Sequence, residues 1–170
     1  GNFIVTGHTS SYGSGNSDFY VLKIDSIANV LWQKAYGGQN SEITSDAQPT
    51  SDSGFIIVGS SRSFGSGEDD VLLIKVDKQG NDAWSKTFGD LDGDYGISVL
   101  ETKDGGFAIA AHKTDADTAS IYLIKTDAGG NLLWTKTYEG SKMVYSFAQS
   151  EDDGFVICGT VQPGIFDNTI

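Results

Sequence analysis

Cysteine, proline and histidine are almost absent from this sequence of 170 residues. Its single cysteine, Cys158, excludes an internal disulfide framework and a Cys-x2-Cys motif for zinc or redox chemistry. No apolar run approaches the roughly 18 residues of a membrane-spanning helix, so we expect no insertion into a membrane. There is no Ser-His-Asp order and no glycine-rich loop that opens a helix to cradle phosphate. No motif in the sequence therefore identifies a reaction.

Basic residues are also scarce. Eleven lysines and arginines stand against 23 acidic residues, and the formal net charge is −12. Such a surface repels the phosphates of nucleic acids and of anionic membranes, so nucleic acid is excluded as a partner class. The acidity could attract cations, or it could serve only to keep the chain soluble. Glycine, in contrast, is abundant at 22 residues, which is typical of short strands separated by tight turns.

One unit is repeated along the chain with a period of about 50 residues. Its clearest marker is the motif Asp-x3-Asn-x2-Trp-x-Lys, and a second marker is Gly-Phe ahead of a short apolar run. The first marker occurs as Asp25, Asn29, Trp32, Lys34, as Asp77, Asn81, Trp84, Lys86 and as Asp127, Asn131, Trp134, Lys136. The second occurs as Gly54-Phe55, Gly106-Phe107 and Gly154-Phe155, with the variant Asn2-Phe3. Because both markers keep the same phase, a repeat architecture is indicated.

Each unit is predicted to hold four antiparallel strands, A to D. In the best-defined copy these strands are Tyr95 to Thr102, Phe107 to His112, Ile121 to Asp127 and Leu132 to Tyr138. Glycine-containing turns, which suit a positive φ, separate A from B and C from D. A four-stranded unit of this length matches the blade of a β-propeller, so the predicted fold class is all-β.

The expected organisation is a single β-propeller segment over residues 1–170, of about three and a third blades. Its units are 1–40 (strands B to D), 41–90, 91–140 and an incomplete 141–170. A propeller ring needs about four to eight blades. The chain is therefore either a piece of a longer protein or one of several copies that join to close a ring. The end at Thr169-Ile170, where a further strand C is expected to begin, favours the first alternative.

The repeat consensus, Asp-Gly-Gly-Phe-(apolar)3-Gly followed by Ser-x-Gly-Ser-Gly and the Asp-x3-Asn-x2-Trp-x-Lys motif, resembles the propeller repeats of bacterial and archaeal secreted or cell-surface proteins. Its last part is similar to the tryptophan-docking motif of quinoprotein dehydrogenases, in which it locks blades together and is not the cofactor site. The resemblance implies a structural blade-docking role for the motif residues. These are Trp32, Trp84, Trp134, Asp25, Asp77, Asp127, Asn29, Asn81 and Asn131. Ala28 departs from the pattern, because glycine fills the equivalent turn position in the other two copies.

Two repeated positions have simple structural interpretations. Lysines recur on strand C (Lys23, Lys75 and Lys125), and we expect them to pair with nearby carboxylates. Cys158 stands at a small-residue site of strand B, where a buried thiol is expected, and His112 is expected to be exposed at a strand end.

The loops between strands B and C and between D and A lie at one end of each unit, because antiparallel strands alternate. Asp90, Asp92 and Asp94 fall in such a loop, at alternate positions around a glycine. Carboxylates spaced in this way can supply oxygen ligands to calcium, although the full EF-hand spacing is missing. The alternative is a solvated polar loop. The sequence thus offers a calcium site as the only metal candidate.

Tyr12 and Phe64 occupy equivalent positions in the glycine-rich B–C loops. Exposed aromatic rings there could stack on a sugar or a peptide, or they could cap the core of the blade. They are the candidate ligand-binding residues, and no residue is a catalytic candidate.

The function we expect is that of a non-enzymatic, extracellular or cell-surface propeller that acts in binding, adhesion or scaffolding and needs no cofactor other than the calcium considered above. The alternative is the propeller part of a secreted enzyme, glycan-active or quinoprotein-like, whose active site lies in blades outside this chain. The expected partners are the remaining blades of a longer chain or a second copy, together with a protein or carbohydrate ligand.

Overall fold

The computed structural model describes residues 1–115, 118–140 and 142–161, and all regular secondary structure in them is β-strand. The first sheet contains β1 (Phe3–Thr9), β2 (Asp18–Ile24) and β3 (Val30–Tyr36). The second contains β4 (Glu42–Pro49), β5 (Phe55–Ser61), β6 (Asp70–Val76) and β7 (Asp82–Phe88). The third contains β8 (Gly93–Glu101), β9 (Phe107–Asp115), β10 (Thr118–Thr126) and β11 (Leu132–Tyr138). The fourth contains β12 (Lys142–Gln149) and β13 (Phe155–Val161).

Within each sheet, every strand pairs antiparallel with the strand next to it in sequence, so each sheet is a simple meander. The prediction of an all-β chain built from four-stranded antiparallel sheets is confirmed. None of the four sheets closes on itself within the described residues, and none of those residues forms a helix that could span a membrane. The expected start of a further strand at Thr169-Ile170 lies outside the described residues.

The strand limits differ slightly from the predicted ones. The last strand of the third sheet, Leu132–Tyr138, has the predicted bounds, whereas the first begins at Gly93 instead of Tyr95. Strand β9 continues past His112 to Asp115, which pairs with Thr118 of β10. The third sheet lacks the glycine-rich B–C loop of the first two sheets, so β9 and β10 are longer at the end where the chain connects them.

The hydrophobic core lies between neighbouring sheets. Phe19 and Val21 of the first sheet pack with Ile57 and Leu72 of the second. The opposite face of the second sheet packs on the third through other side chains of β5 and β6, and the third packs on the fourth. All residues of β5 and β6 are buried, because alternate side chains enter the core on either side. The sheets therefore stack face to face in chain order.

The first strands of successive sheets lie side by side, β4 next to β8 and β8 next to β12. Each carries a β-bulge at the same position, with Ser45, Ile97 or Tyr145 as the extra residue. A bulge increases the local twist and redirects side chains. Because all three strands bend alike, their outer side chains converge on one surface.

Candidate functional site

Each tryptophan of the repeat lies against the next sheet. Trp32 Nε1 donates a hydrogen bond to the backbone oxygen of Lys78 (3.2 Å), and the ring meets that of Phe55 edge-on at 6.0 Å. Nearby, the Tyr36 hydroxyl donates to the Gly80 carbonyl (2.8 Å). Equivalent edge-on contacts join Trp84 to Phe107 at 5.6 Å and Trp134 to Phe155 at 6.3 Å. These contacts link successive sheets.

The aspartate and asparagine of the motif shape the turn between the last two strands of each sheet. In the second and third sheets, this turn packs on the tryptophan of the preceding sheet. Asp25 Oδ1 accepts from the backbone N–H groups of Ile27 and Asn29, both at 2.9 Å, and Asn29 Nδ2 donates to Asp25 Oδ2 (3.0 Å). The hydrogen bonds from Asn29 lower the pKa of Asp25. The same bonds recur at Asp77 with Asn81 and at Asp127 with Asn131.

A lysine of the motif strengthens the contact between sheets. Lys34 Nζ donates to Asn81 Oδ1 at 2.8 Å, and Lys86 reaches Asn131 in the same way at 3.4 Å. Tryptophan and lysine on one sheet thus hold the Asp-x3-Asn turn of the following sheet.

The lysines of strand C form a second repeated contact. Lys75, which is buried, pairs with Asp52 at 2.7 Å, and Lys125 pairs with Asp104 at 2.9 Å, so the expected pairing with carboxylates is confirmed at both positions. Hydrogen bonds from Lys75 lower the pKa of Asp52 to about 2. Lys23 instead donates to the backbone oxygen of Lys78 (3.1 Å). These lysines fix turns and sheets in place.

The three bulged strands line an open groove of about 550 Å³. Asp46 Oδ2 on β4 accepts from Ser98 Oγ (2.9 Å) and from the Val99 N–H (3.1 Å) on β8, which joins the two strands across the groove floor. Tyr145, the extra residue of the β12 bulge, stands on the wall with 58% of its surface exposed. The groove thus combines a polar floor with one accessible aromatic ring.

Near one end of this groove, the turn after the first strand of one sheet contacts the last residue of the first strand of the next sheet. Ser51 donates from its N–H and its hydroxyl to the carboxylate of Glu101, both at 2.7 Å. In the next pair of sheets the Lys103 N–H donates to Gln149 Oε1 at 3.1 Å. The groove was not predicted from the sequence, because strand A carries no motif that recurs in every unit. The bulges that align its side chains appear only once the register is known.

The three aspartates do not all lie in the predicted loop: Asp90 and Asp92 lie between the second and third sheets, whereas Asp94 is the second residue of β8. Asp90 forms an ion pair with Lys113, and its Oδ1 accepts from the Asp92 N–H (3.2 Å). Asp94 is fully buried, and its Oδ2 accepts from the Asp90 N–H at 3.1 Å. Across the part of the chain that the structure describes, no group of three or more acidic, histidine or cysteine side chains could hold a metal ion. Calcium at these residues stays a prediction.

Asp94 differs from its counterpart in the second sheet, Glu42. Both are buried, but the longer Glu42 accepts hydrogen bonds from Gly38 N–H (2.7 Å) and Ser61 Oγ (2.8 Å). Asp94 Oδ1 has no hydrogen-bond partner among the described residues and lies 3.9 Å from Lys113 Nζ. Burial raises the pKa of Asp94 to about 6. The side chain is closed to solvent, so it is poorly placed to act on a substrate.

Tyr12 and Phe64 both lie on the surface at the loop end of the sheets. Tyr12 meets Tyr20 edge-on at 6.1 Å. Phe64 lines a separate hollow of about 310 Å³ between the first two sheets, together with Gly13 and Asp18. The structure therefore gives the two aromatic rings different surroundings, and their role in ligand binding stays a prediction.

Two expectations for single residues were wrong. His112 is half-buried and not simply exposed: its Nε2 lies 2.7 Å from the backbone nitrogen and 2.9 Å from the backbone oxygen of Val144 in the fourth sheet. Burial lowers the pKa of His112 accordingly. Cys158 is exposed, whereas Val58 at the equivalent position is buried. Val58 is covered by the third sheet, and no described sheet follows Cys158.

Neither protein-family models nor curated proteins give a match to this chain.

Proposed function

We propose that the chain forms an arc of a β-propeller that acts outside the cell or at the cell surface as a binding or scaffolding module. Sheets that stack face to face in chain order, with their first strands adjacent, are what a propeller requires. The repeated tryptophan contact supports the same arrangement, because it gives each sheet the same relation to the next. The extracellular location rests on the resemblance of the repeat alone.

The observation that carries the binding function is the groove along β4, β8 and β12. In a propeller these innermost strands face the central channel, where ligands commonly bind. The groove is open, polar and largely preformed, since cross-strand hydrogen bonds to Asp46 and Glu101 hold its sides. Tyr145 offers the flat apolar surface on which a sugar ring can stack. A carbohydrate without charge is the ligand class that suits this surface, because the acidic chain repels anionic sugars.

Catalysis is less well supported by the same geometry. The carboxylates Asp46 and Glu101 are engaged in hydrogen bonds that join sheets. Asp94, whose pKa is raised to about 6 by burial, lies at the other end of the sheets and is closed to solvent. The groove thus offers positioned acceptors and a stacking surface, which are features of binding.

Affinity electrophoresis through gels that contain neutral polysaccharides tests this function. We expect one or more glucans, mannans or xylans to retard the chain, and Tyr145→Ala to weaken that binding about tenfold through loss of the stacking contact. Phe3→Ala is the matched control, since Phe3 is also an exposed aromatic residue but lies on β1, outside the groove. Equal mobility of the chain in all gels, or equal effects of the two substitutions, would contradict binding in the groove.

A further inference from the structure

We propose that the exposed surface around Trp134 is the docking site for the Asp25–Asn29 turn of a second copy of the chain. The surface, here called the Trp134 surface, consists of Trp134, Lys136, Tyr138, Phe155 and Ile157. The inference rests on the blade arrangement proposed above, which it deepens by naming a partner.

The chain itself shows twice what such a surface binds. Trp32 and Tyr36 are covered by the turn of the second sheet, which offers the Lys78 and Gly80 carbonyls as acceptors. Trp84 is covered by the turn of the third sheet, where Gly130 lies directly against the indole. In both copies the occupant is an Asp-x3-Asn turn, so the chemistry of the partner is defined by the repeat.

The third copy of this surface is open. Tyr138 is 42% exposed, whereas the equivalent Tyr36 is 7% exposed, and Trp134 is 42% exposed. A hollow of about 390 Å³ lies over these rings. Lys136 Nζ lies over the ring of Tyr138 at 6.0 Å, whereas Lys34 reaches the asparagine of the next turn. Within the part of the chain that the structure describes, no Asp-x3-Asn turn covers Trp134, so this surface matches the two covered ones but lacks their occupant.

The matching turn stands free at the other side of the molecule. The Asp25–Asn29 turn has the hydrogen bonds of the two docked turns, and Ile27 at its tip is 78% exposed. Among the described residues no tryptophan packs on it. The turn is thus preorganised for docking, which reduces the entropy cost of association.

The edges of the outer sheets also complement one another. The fourth sheet provides strands A and B (β12 and β13), and the first provides B to D (β1 to β3). A Cβ at Gly59 would overlap the carbonyl of Ile43 on the neighbouring strand A, whereas nothing lies within 4 Å of that position at Gly7 on β1. The first sheet therefore has room at its edge where the other sheets have their strand A.

Both β13 and β1 are strand B of the repeat. When two copies join, only one of these strands can fill the strand B position of the shared sheet, so the other must be displaced. We assign β1 as the strand that gives way, because Phe155 of β13 contacts Trp134 and belongs to the docking surface, whereas the equivalent Phe3 of β1 is 59% exposed. With β1 displaced, β12 and β13 of one copy and β2 and β3 of the other form a sheet with the order of β4 to β7. Within its described residues, each copy of the 170-residue chain has two complete sheets. Two such copies joined at both ends hold six four-stranded sheets, and a closed pair is the symmetric solution.

Ala28 limits how tightly this joint can pack. At the equivalent Gly80 a Cβ would approach Trp32 to 3.1 Å, so Trp134 must sit slightly further from the docked turn than Trp32 does. Ala28→Gly removes this crowding, and we expect it to tighten the association of two copies.

Light scattering of the 170-residue chain tests the inference directly, at about 0.15 M salt so that repulsion between two acidic copies is screened. We expect a mass of two chains, and a single-chain mass for Trp134→Ala and for Ile27→Asp. Tyr12→Ala, at the loop end, is expected to remain dimeric. Deletion of residues 1–9 is also expected to leave the dimer intact, because β1 is the displaced strand.

Cross-linking between two differently labelled chains tests the contact itself. In a Cys158→Ser background, Ser26→Cys in one chain and Lys136→Cys in the other should be joined by a short bismaleimide, because the equivalent Lys78 of the second sheet lies against Trp32. Ser14→Cys in place of Ser26→Cys should not be joined to Lys136→Cys, because Ser14 lies at the opposite end of the strands.

A wild-type chain that is monomeric under these conditions, or a dimer unaffected by Trp134→Ala, would overturn the inference. Either result would leave the proposed binding function untouched, since that function is measured separately through Tyr145 and polysaccharide binding.

Discussion

Trp84 and Trp134 stand at equivalent positions of two successive sheets, yet only one of them is covered. Trp84 packs on Phe107 and has Gly130 against its indole, whereas Trp134 contacts Phe155 and keeps 42% of its surface exposed. The motif around them is the same. The comparison shows that burial of a repeat residue depends on the neighbouring repeat, so that one motif can be core in one copy and surface in another.

The largest effect that we expect separates these two tryptophans. Trp84→Ala should lower the free energy of unfolding by about 3 kcal/mol, because it opens a cavity between the second and third sheets. Trp134→Ala should lower it by about 1 kcal/mol or less, since water already reaches much of the side chain. Urea unfolding at a concentration where the chain is monomeric measures both. Equal losses would mean that the exposed indole contributes as much as the covered one.

Most of the fold could be predicted from the sequence because two marker motifs recur with the same period. The Asp-x3-Asn turn and the Gly-Phe step each mark a strand boundary, and their common period gives the four-stranded unit without any knowledge of long-range contacts. The turn at Asp25 and Asn29 is held by hydrogen bonds within five residues, which sequence patterns capture well.

The groove and the partners of single residues could not be predicted in the same way. Tyr145 reaches the groove wall through a bulge, and His112 bonds to Val144 on a different sheet. Both depend on register and on how one sheet faces the next. Cys158 shows the same limit, because its position in the repeat indicated burial while its neighbours in space leave it exposed.

Asp94 and Glu42 extend the comparison to a pair of buried carboxylates. Asp94→Asn should stabilise the chain by about 1 to 2 kcal/mol at pH 7, since it replaces a charge whose Oδ1 lacks a hydrogen bond. The pKa of Asp94 is raised to about 6 in the folded chain, from about 4 in the unfolded chain. The contribution of Asp94 to the free energy of unfolding of the wild-type chain therefore falls as pH rises from about 4 to 6. The advantage of the variant should therefore vanish below pH 4. Thermal unfolding of both chains at each pH isolates this group, because contributions such as that of His112 cancel in the difference.

The matched control is Glu42→Gln. Glu42 accepts from Gly38, Ser61 and Ser63, and only ionised oxygens can accept from all of these donors equally well. We expect this variant to lose about 1 to 2 kcal/mol at pH 7. A gain in stability for Glu42→Gln, or a loss for Asp94→Asn, would show that the two sites do not differ in the way the hydrogen bonds indicate.

The smallest effect concerns the turn position filled by Ala28 in the first sheet and by Gly80 in the second. Both residues have a left-handed backbone, with φ of 65° and 75°. An alanine side chain is strained there by about 1 kcal/mol, which is partly offset because glycine is more flexible in the unfolded chain. Ala28→Gly should therefore stabilise the monomer by about 0.5 kcal/mol. Gly80→Ala should destabilise it by about 1 to 2 kcal/mol, since its Cβ would also crowd Trp32. If urea unfolding shows the two substitutions to be equal and opposite, backbone strain alone accounts for both, and the tryptophan contact adds nothing at this position.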